Sequence, residues 1–293
     1  MKIMVSGASG LVGAELASAL RARGHELALL SRSGAGVSWD PEAGELEAGK
    51  LEGLDAVVHL AGENIASGRW SARKKAAIRD SRVLGTRLLA DRLAKLERGP
   101  RVLVCASAVG YYGDGDREVD EESASGKGFL AEVCRDWELA AKAAEASGVR
   151  VVSLRIGVVL SAEGGALGKM LLPFRLGLGG PVGNGGQWMS WIAISDLVDV
   201  IAYALSTGGL SGPVNAVAPG AVTNADFAGT LGRVLGRPAF LPLPGFAVRA
   251  FFGEMGEELL LQGQRVRPSR LLQAGFRFRH PDLEPALRHL LLH

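Results

Sequence analysis

Only two cysteines occur in the 293 residues, Cys105 in an apolar strand pattern and Cys134 in an apolar helix pattern. They build no disulfide framework, and the expectation is a chain kept in a reducing cytoplasm. The five histidines are scattered, with no pair at ligand spacing on one face, so no metal centre is expected. No apolar run is long enough to cross a bilayer. The first strand begins almost at Met1, leaving no place for a signal peptide, so neither membrane insertion nor export is expected. Neither charge sign dominates: 33 Lys and Arg stand against 31 Asp and Glu, a net +2, which gives no electrostatic reason to bind nucleic acid. The strand ends carry no Gly-x-Ser-x-Gly elbow, and no serine–histidine–acid order is readable, which sets serine-hydrolase chemistry aside. What remains is 47% apolar and 22% charged, a well-cored globular chain long enough for about two domains.

The most informative stretch is the first. Ile3-Met4-Val5 forms an apolar strand that runs into Gly7-Ala8-Ser9-Gly10-Leu11-Val12-Gly13. A helix follows with Leu11, Val12, Leu16 and Leu20 on one face, and a second strand over 26–30 ends at Ser31-Arg32-Ser33. A strand–turn–helix–strand unit with glycines so placed is one that holds a dinucleotide. The early glycines permit a tight turn and bring backbone N–H groups near a pyrophosphate. The last one lets helix and strand pack closely, with the positive helix end toward the phosphates. An acid at the end of the second strand would accept a hydrogen bond from the 2′-OH of NAD. Here Ser31 and Arg32 hold that place, with no Asp or Glu before Asp40, so NADP is expected in preference to NAD.

Further along, residues 33–50 are turn-rich and are expected to wander over the adenine end of the cofactor. An apolar run over 54–62 ends in His59-Leu60-Ala61-Gly62, as a buried parallel strand would, with His59 read as a packed core residue. Ser71 is expected to cap a helix that continues, with a break, to about Leu96. Its Lys and Arg residues are interrupted by Asp80, Asp91 and Glu97, without interleaved aromatics, and read as a solvated face. Strands over 101–107 and 149–155 with a helix over 129–147 between them continue the alternation of a parallel sheet covered on both faces. Beyond Gly157 the pattern predicts a short strand over 187–192, helices capped by Ser195 and Thr223, a strand over 214–217, a strand at 276–278 and a last helix. The fold class is therefore α/β, a Rossmann-type doubly wound parallel sheet with a smaller C-terminal α+β domain. Residues 1–159 are assigned to the dinucleotide-binding domain, with 190–218 returning to it, and 160–189 with 219–293 to the smaller domain.

Ligands in such sheets bind beyond the carboxyl ends of the strands, where strand order reverses. Three loops should meet there: 62–70, 107–114 and 156–170. Ser107, Tyr111 and Tyr112 in the middle loop offer a hydroxyl and two phenols suited to polarising a carbonyl beside a nicotinamide, or to satisfying a turn. Together, the glycine turn, 59–62, Arg82-Val83-Leu84-Gly85-Thr86 and Ser107…Tyr111-Tyr112-Gly113 resemble the extended short-chain dehydrogenase/reductases, the NAD(P)-dependent epimerase/dehydratase group. Strings at 186–192, 263–266 and 274–276 resemble its atypical YfcH-type branch, whose C-terminal part is a domain of unknown function.

The resemblance implies a cofactor site built from Gly7, Ala8, Ser9, Gly10, Leu11, Val12, Gly13, Ser31, Arg32, Leu60, Ala61, Gly62, Arg82 and Ser107. It also implies a small sugar-like or anionic substrate, for which Glu63, Asn64, Arg69 and Trp70 are candidates together with Arg82. Two departures stand out. The group carries a tyrosine with a lysine four residues on, which together supply the acid and hold the nicotinamide ribose. Four residues past Tyr111, Tyr112 and Tyr203 stand Gly115, Asp116 and Thr207, and the matching helix positions hold Leu130 and Cys134. Arg82 stands where the group has an asparagine. Two readings stay open at this point. One is an NADP-dependent oxidoreductase or epimerase in which Tyr111 or Tyr112 replaces the missing acid. The other is a non-catalytic NADP(H)-binding sensor or regulator.

Overall fold

The computed structural model describes residues 1–32 and 36–292. Its centre is a sheet in which β1 (Lys2–Ser6), β2 (Glu26–Ser31), β3 (Val37–Asp40) and β4 (Glu45–Leu46) run outward to one edge. β5 (Ala56–His59), β6 (Val102–Ala108), β8 (Arg150–Ile156) and β12 (Gly212–Ala216) run to the other. Every pairing is parallel except β3 with β4. Strand order reverses between β1 and β5, which opens a crevice beyond their carboxyl ends.

Alternation within the strands explains why both faces are covered. Ile3, Val5, Val58, Val104 and Leu154 point to α1 (Leu11–Ala22) and α5 (Ile194–Ser206), where Leu16, Leu20, Leu197 and Ile201 complete one core. Met4, Val57, Leu103 and Val151 point the other way, to α2 (Ala72–Leu93) and α3 (Phe129–Ala141), where Leu89, Leu93 and Trp137 complete a second. A period of two on strands buried on both sides leaves no solvent face, which is why these strands read as continuous apolar runs.

A third core lies outside the sheet, where Leu167, Leu171 and Phe174 of α4 (Gly165–Arg175) meet Phe227 and Leu231 of α6 (Asn224–Leu235). Leu283 and Leu287 of α10 (Leu283–Leu292) and Trp191 complete it. Three two-stranded pairs stitch the parts: β9 (Val158–Ser161) with β11 (Trp191–Ala193), β10 (Trp188–Met189) with β13 (Val222–Thr223), and β7 (Gly115–Val119) with β14 (Gln264–Val266). The remaining helices are α7 (Gly245–Phe252), α8 (Glu254–Gly256), which passes into a π-helical turn over Glu257–Leu261, and α9 (Ser269–Gln273). Among the described residues no helix is long and apolar enough to cross a membrane.

Several expectations are corrected. The 33–50 segment adds β3 and β4 to the sheet edge, because Trp39 and Leu46 bury themselves in the second core; residues 33–35 lie outside the described part. α2 has no break. Ser195 does not cap α5: the helix starts at Ile194, and the buried Ser195 hydroxyl finds no partner. Residues 276–278 form no strand. Phe276 instead stacks edge-on against Tyr203 and Phe278, at 5.3 and 4.9 Å between ring centroids.

Candidate functional site

The three glycines of the first turn have different physical reasons to be glycine. Gly7 has φ +71°, and a Cβ there would lie 2.8 Å from the Leu60 carbonyl carbon and 2.9 Å from the Ala61 nitrogen. A Cβ on Gly13 would lie 2.1 Å from the Gly7 oxygen, so helix and turn touch backbone to backbone. Gly10 is the exception: a Cβ would meet only the Gly7 oxygen at 3.4 Å. The protein does not require that position to be bare, and the open space lies at the first turn of α1.

The start of α1 differs from the starts of α2 and α6. Ser71 caps α2 by accepting the Lys74 N–H at 3.2 Å, and Thr223 caps α6 by accepting the Asp226 N–H at 3.1 Å. No side chain caps α1. Its first N–H groups and its positive end are left toward the crevice, with Ala8, Leu11 and Val12 half-buried and Ser9 and Gly10 exposed. The turn thus fits a pyrophosphate, by an empty volume and by unused donors. At the end of β2, Ser31 is half-buried and the Arg32 side chain is solvent-facing, while Ser33 lies outside the described residues.

Beneath the crevice Ser6 ties β1 to β5. Its hydroxyl accepts the N–H groups of Leu60 (3.1 Å) and Ala61 (3.2 Å), which leaves its proton for His59 Nδ1 at 2.6 Å. Burial pushes the His59 imidazole down to about pH 4, so the ring is neutral and its Nε2 is left without a partner. Trp39 stands edge-on to it at 5.7 Å.

The opposite wall, at the ends of β6 and β8, is closed on itself. Ser107 is 3% exposed and donates to Glu138 Oε1 at 2.8 Å. Glu138 also accepts two hydrogen bonds of 2.9 Å from Nε and Nη2 of Arg155. Burial works against the Arg155 charge, but the Glu138 carboxylate more than reverses it and holds the guanidinium above its ordinary pKa. Arg155 Nη1 donates to the Tyr112 hydroxyl at 2.9 Å, and that hydroxyl donates to Asn215 Oδ1 at 2.7 Å. The Asn215 N–H reaches Glu121, whose carboxyl is raised by burial. Burial pushes the Tyr112 phenol up to about 12. Tyr111 lays its ring over Arg155, 3.4 Å from ring centroid to guanidinium carbon. A cavity of about 350 Å³ opens beside this network, lined by Tyr111, Glu138, Lys142, Ser153 and Arg155 and by none of the glycine-turn residues.

Tyr112, expected to supply an acid, here directs its proton to Asn215, and burial moves its pKa up, away from neutrality. Tyr111 faces the side cavity rather than the glycine turn. Ser107 stands at the expected strand end but spends its proton on Glu138. The matching helix positions hold Leu130, in contact distance of Gly110, and Cys134, a buried thiol pushed up to about 11 by desolvation. Sequence reasoning missed Glu138 and Arg155 as the centre of the wall. An arginine, Arg155, inside an otherwise mostly apolar strand, facing the Glu138 side of the preceding helix, is the signal that was there to read.

The 63–70 loop is likewise self-satisfied. The Glu63 carboxylate pairs with Lys74 at 2.5 Å, and Asn64 Oδ1 accepts the Ala66 N–H at 2.9 Å. Arg69 donates to the Ala250 carbonyl at 2.9 Å, so it braces α7. Trp70 donates to the Ile65 carbonyl at 2.8 Å and is buried with Ile78 and Met255. It builds a wall and offers no open face to a substrate. Glu258 reaches from the π-helical turn to the Leu130 N–H at 3.4 Å, serving the uncapped start of α3 from outside, and burial raises its carboxyl. Gly62 is exposed, and a Cβ there would lie 3.2 Å from the Arg82 guanidinium carbon.

The sequence profile of the NAD dependent epimerase/dehydratase family matches residues 3–216, and that of a domain of unknown function, DUF1731, matches residues 243–290. The chain is 47% identical over 290 residues to the epimerase family protein Mb2239 of Mycobacterium bovis, covering 97% of this chain and 96% of that protein. It is 43% identical over 297 residues to human epimerase family protein SDR39U1, covering 99% and 100%. Among solved structures it is similar to that of human SDR39U1 (isoform 2) with NADPH, at TM-score 0.94 and 40% identity over the whole of both chains.

Proposed function

Given that this chain belongs to the NAD dependent epimerase/dehydratase family, we propose that it is an NADP(H)-binding protein of the extended short-chain dehydrogenase/reductase type. The observation that carries this reading is the turn after β1. Gly7 and Gly13 are bare because the protein crowds them, and Gly10 is bare although a side chain there would meet only the Gly7 oxygen, at 3.4 Å. Uncapped helix donors face that space, so a phosphate-bearing ligand accounts for both features. The ribose end supports NADP over NAD: Arg32 can meet a 2′-phosphate, and no carboxylate at the end of β2 repels it. The crystal structure of the similar human protein with NADPH agrees with this preference.

A bound nicotinamide would supply the hydride donor or acceptor. This chain's residues would hold the diphosphate at 7–13, the 2′-phosphate at Arg32 and the nicotinamide half near Gly62, Arg82 and Ser107. The reaction proposed is oxidoreduction or epimerisation of a small sugar-like or anionic substrate. Two buried, unbridged cysteines fit a reducing, cytoplasmic setting. Calorimetric titration tests the cofactor. NADPH should bind at least about ten-fold tighter than NADH, and Arg32→Glu should remove most of that difference. Absence of heat with either reduced nucleotide would overturn the reading.

A second reading has its own support. The wall that would furnish an acid is spent on internal pairs: Ser107 on Glu138, and Tyr112 on Asn215. A protein that holds NADPH without turning it over, as a sensor or regulator, would look this way. Multiple-turnover NADPH oxidation with any member of a panel of aldehydes, ketones and nucleotide sugars would eliminate it.

A further inference from the structure

Where β5 ends, Arg82 makes no ion pair among the described residues, although its guanidinium is largely withdrawn from solvent. It rises from α2 to the end of β5. Its single protein acceptor is the Ile78 carbonyl of its own helix, 3.0 Å from Nη1, and its flat face lies 5.1 Å from the Trp137 ring. Around it stand the Cys134 thiol, which burial keeps protonated, and Glu63, whose carboxylate is held by Lys74. Desolvation lowers the Arg82 pKa, and electrostatic interactions with Cys134 and Glu63 work against it. A desolvated cation with most of its donors unused is costly unless something else meets it.

The place tells what that is. Gly7 touches Leu60 and Ala61, which fixes the diphosphate position at the mouth between β1 and β5. The adenine half runs from there toward β2 and Arg32. The nicotinamide half must run the other way, over Gly62, where Arg82 waits. Resting on the reading of the chain as an NADP(H)-binding protein, we infer that Arg82 meets the nicotinamide half of the dinucleotide and makes the site select the reduced over the oxidised form. The oxidised ring carries a positive charge and the reduced ring none. A guanidinium beside it, with no carboxylate free to neutralise it, repels only the oxidised form. The structure thereby assigns a redox-selective role to this residue, whichever chemistry follows.

The experiment is a set of calorimetric titrations of the full chain with NADPH, NADP⁺ and 2′,5′-ADP, the last carrying only the adenine half. Wild type should bind NADPH at least about five-fold tighter than NADP⁺. Arg82→Gln should bring that ratio close to one while leaving 2′,5′-ADP affinity within two-fold, and Arg82→Lys should retain part of the preference. The unchanged 2′,5′-ADP affinity also shows that the variant is folded. Equal affinity of wild type for the two redox forms overturns the inference, as does a ratio that Arg82→Gln leaves unaltered. Equal loss of 2′,5′-ADP and NADPH binding in Arg82→Gln also overturns it, by making Arg82 structural. If wild type binds neither NADPH nor 2′,5′-ADP, it is the cofactor reading beneath that fails.

Discussion

The glycine turn after β1 and the serine–tyrosine wall after β6 stand two strands apart in one sheet, yet they treat their polar groups in opposite ways. At the turn, α1 has no side-chain cap, and a side chain at Gly10 would meet only the Gly7 oxygen, at 3.4 Å. At the wall, Ser107, Glu138, Arg155, Tyr112 and Asn215 hand hydrogen bonds to one another until none of these side chains is left over. Unsatisfied donors beside an empty volume mark where a ligand completes the structure. A satisfied buried network marks where the structure has completed itself. The contrast locates binding with more force than it locates chemistry.

Each side of the contrast can be broken. The largest effect is expected for Gly13→Val, whose side chain must enter the 2.1 Å gap to the Gly7 oxygen. Forcing helix and turn apart should cost more than about 3 kcal/mol, seen as a large fall in Tm, and should abolish NADPH binding. Next comes Glu138→Gln. It leaves the 3%-exposed Arg155 charge uncompensated and should cost about 3 kcal/mol in chemical denaturation, with 2′,5′-ADP affinity unchanged in the folded fraction. Unaltered stability would show the wall to be looser than its distances imply.

His59, under the crevice, gives a pH signature. Its folded pKa of about 4 lies below the unfolded value of 6.5, so the unfolded chain takes up the proton first. Its contribution is complete above pH 6.5 and declines as pH falls toward 4, by about 1.4 kcal/mol per unit. His59→Gln should flatten that part of the stability–pH curve, read from denaturation midpoints. The smallest stability effect is expected for Gly10→Ala, below about 1 kcal/mol, because the added methyl meets only one atom, at 3.4 Å. Binding of NADPH should nevertheless weaken about ten-fold, and that separation of stability from affinity sharpens the comparison most.

The sheet was legible in the sequence because strands buried on both faces are apolar throughout, and residues 3–5, 54–62, 101–107 and 149–155 each sit in or overlap such a strand. The turn was legible because glycine at 7 and 13 encodes backbone geometry directly, and a third glycine at 10 completes the pattern. Side-chain partners were not. Tyr112 near Ser107 in the chain looked like equipment for catalysis, but its partner Asn215 lies more than a hundred residues away. Trp70 looked like a substrate platform until Met255 and Phe129 closed over it. Short pairs such as β7 with β14 also left no trace, since two or three hydrogen bonds between distant segments impose no local periodicity. Phe276 and Phe278 erred the other way: alternating aromatics imitate a strand while their rings pack on one another.

The β7–β14 pair has a consequence for how the chain is made. β7 is in place by residue 119, but its only partner among the described strands begins at Gln264. The Ser190 hydroxyl likewise waits for the Gln264 carbonyl and the Val266 N–H, 2.7 and 2.9 Å away. A chain emerging from the ribosome can assemble the dinucleotide half early, but that half keeps an open seam until its last thirty residues arrive. Premature termination between β12 and β14 leaves the eight-stranded sheet built but β7 without its partner, a species for chaperones and proteases rather than a smaller working protein.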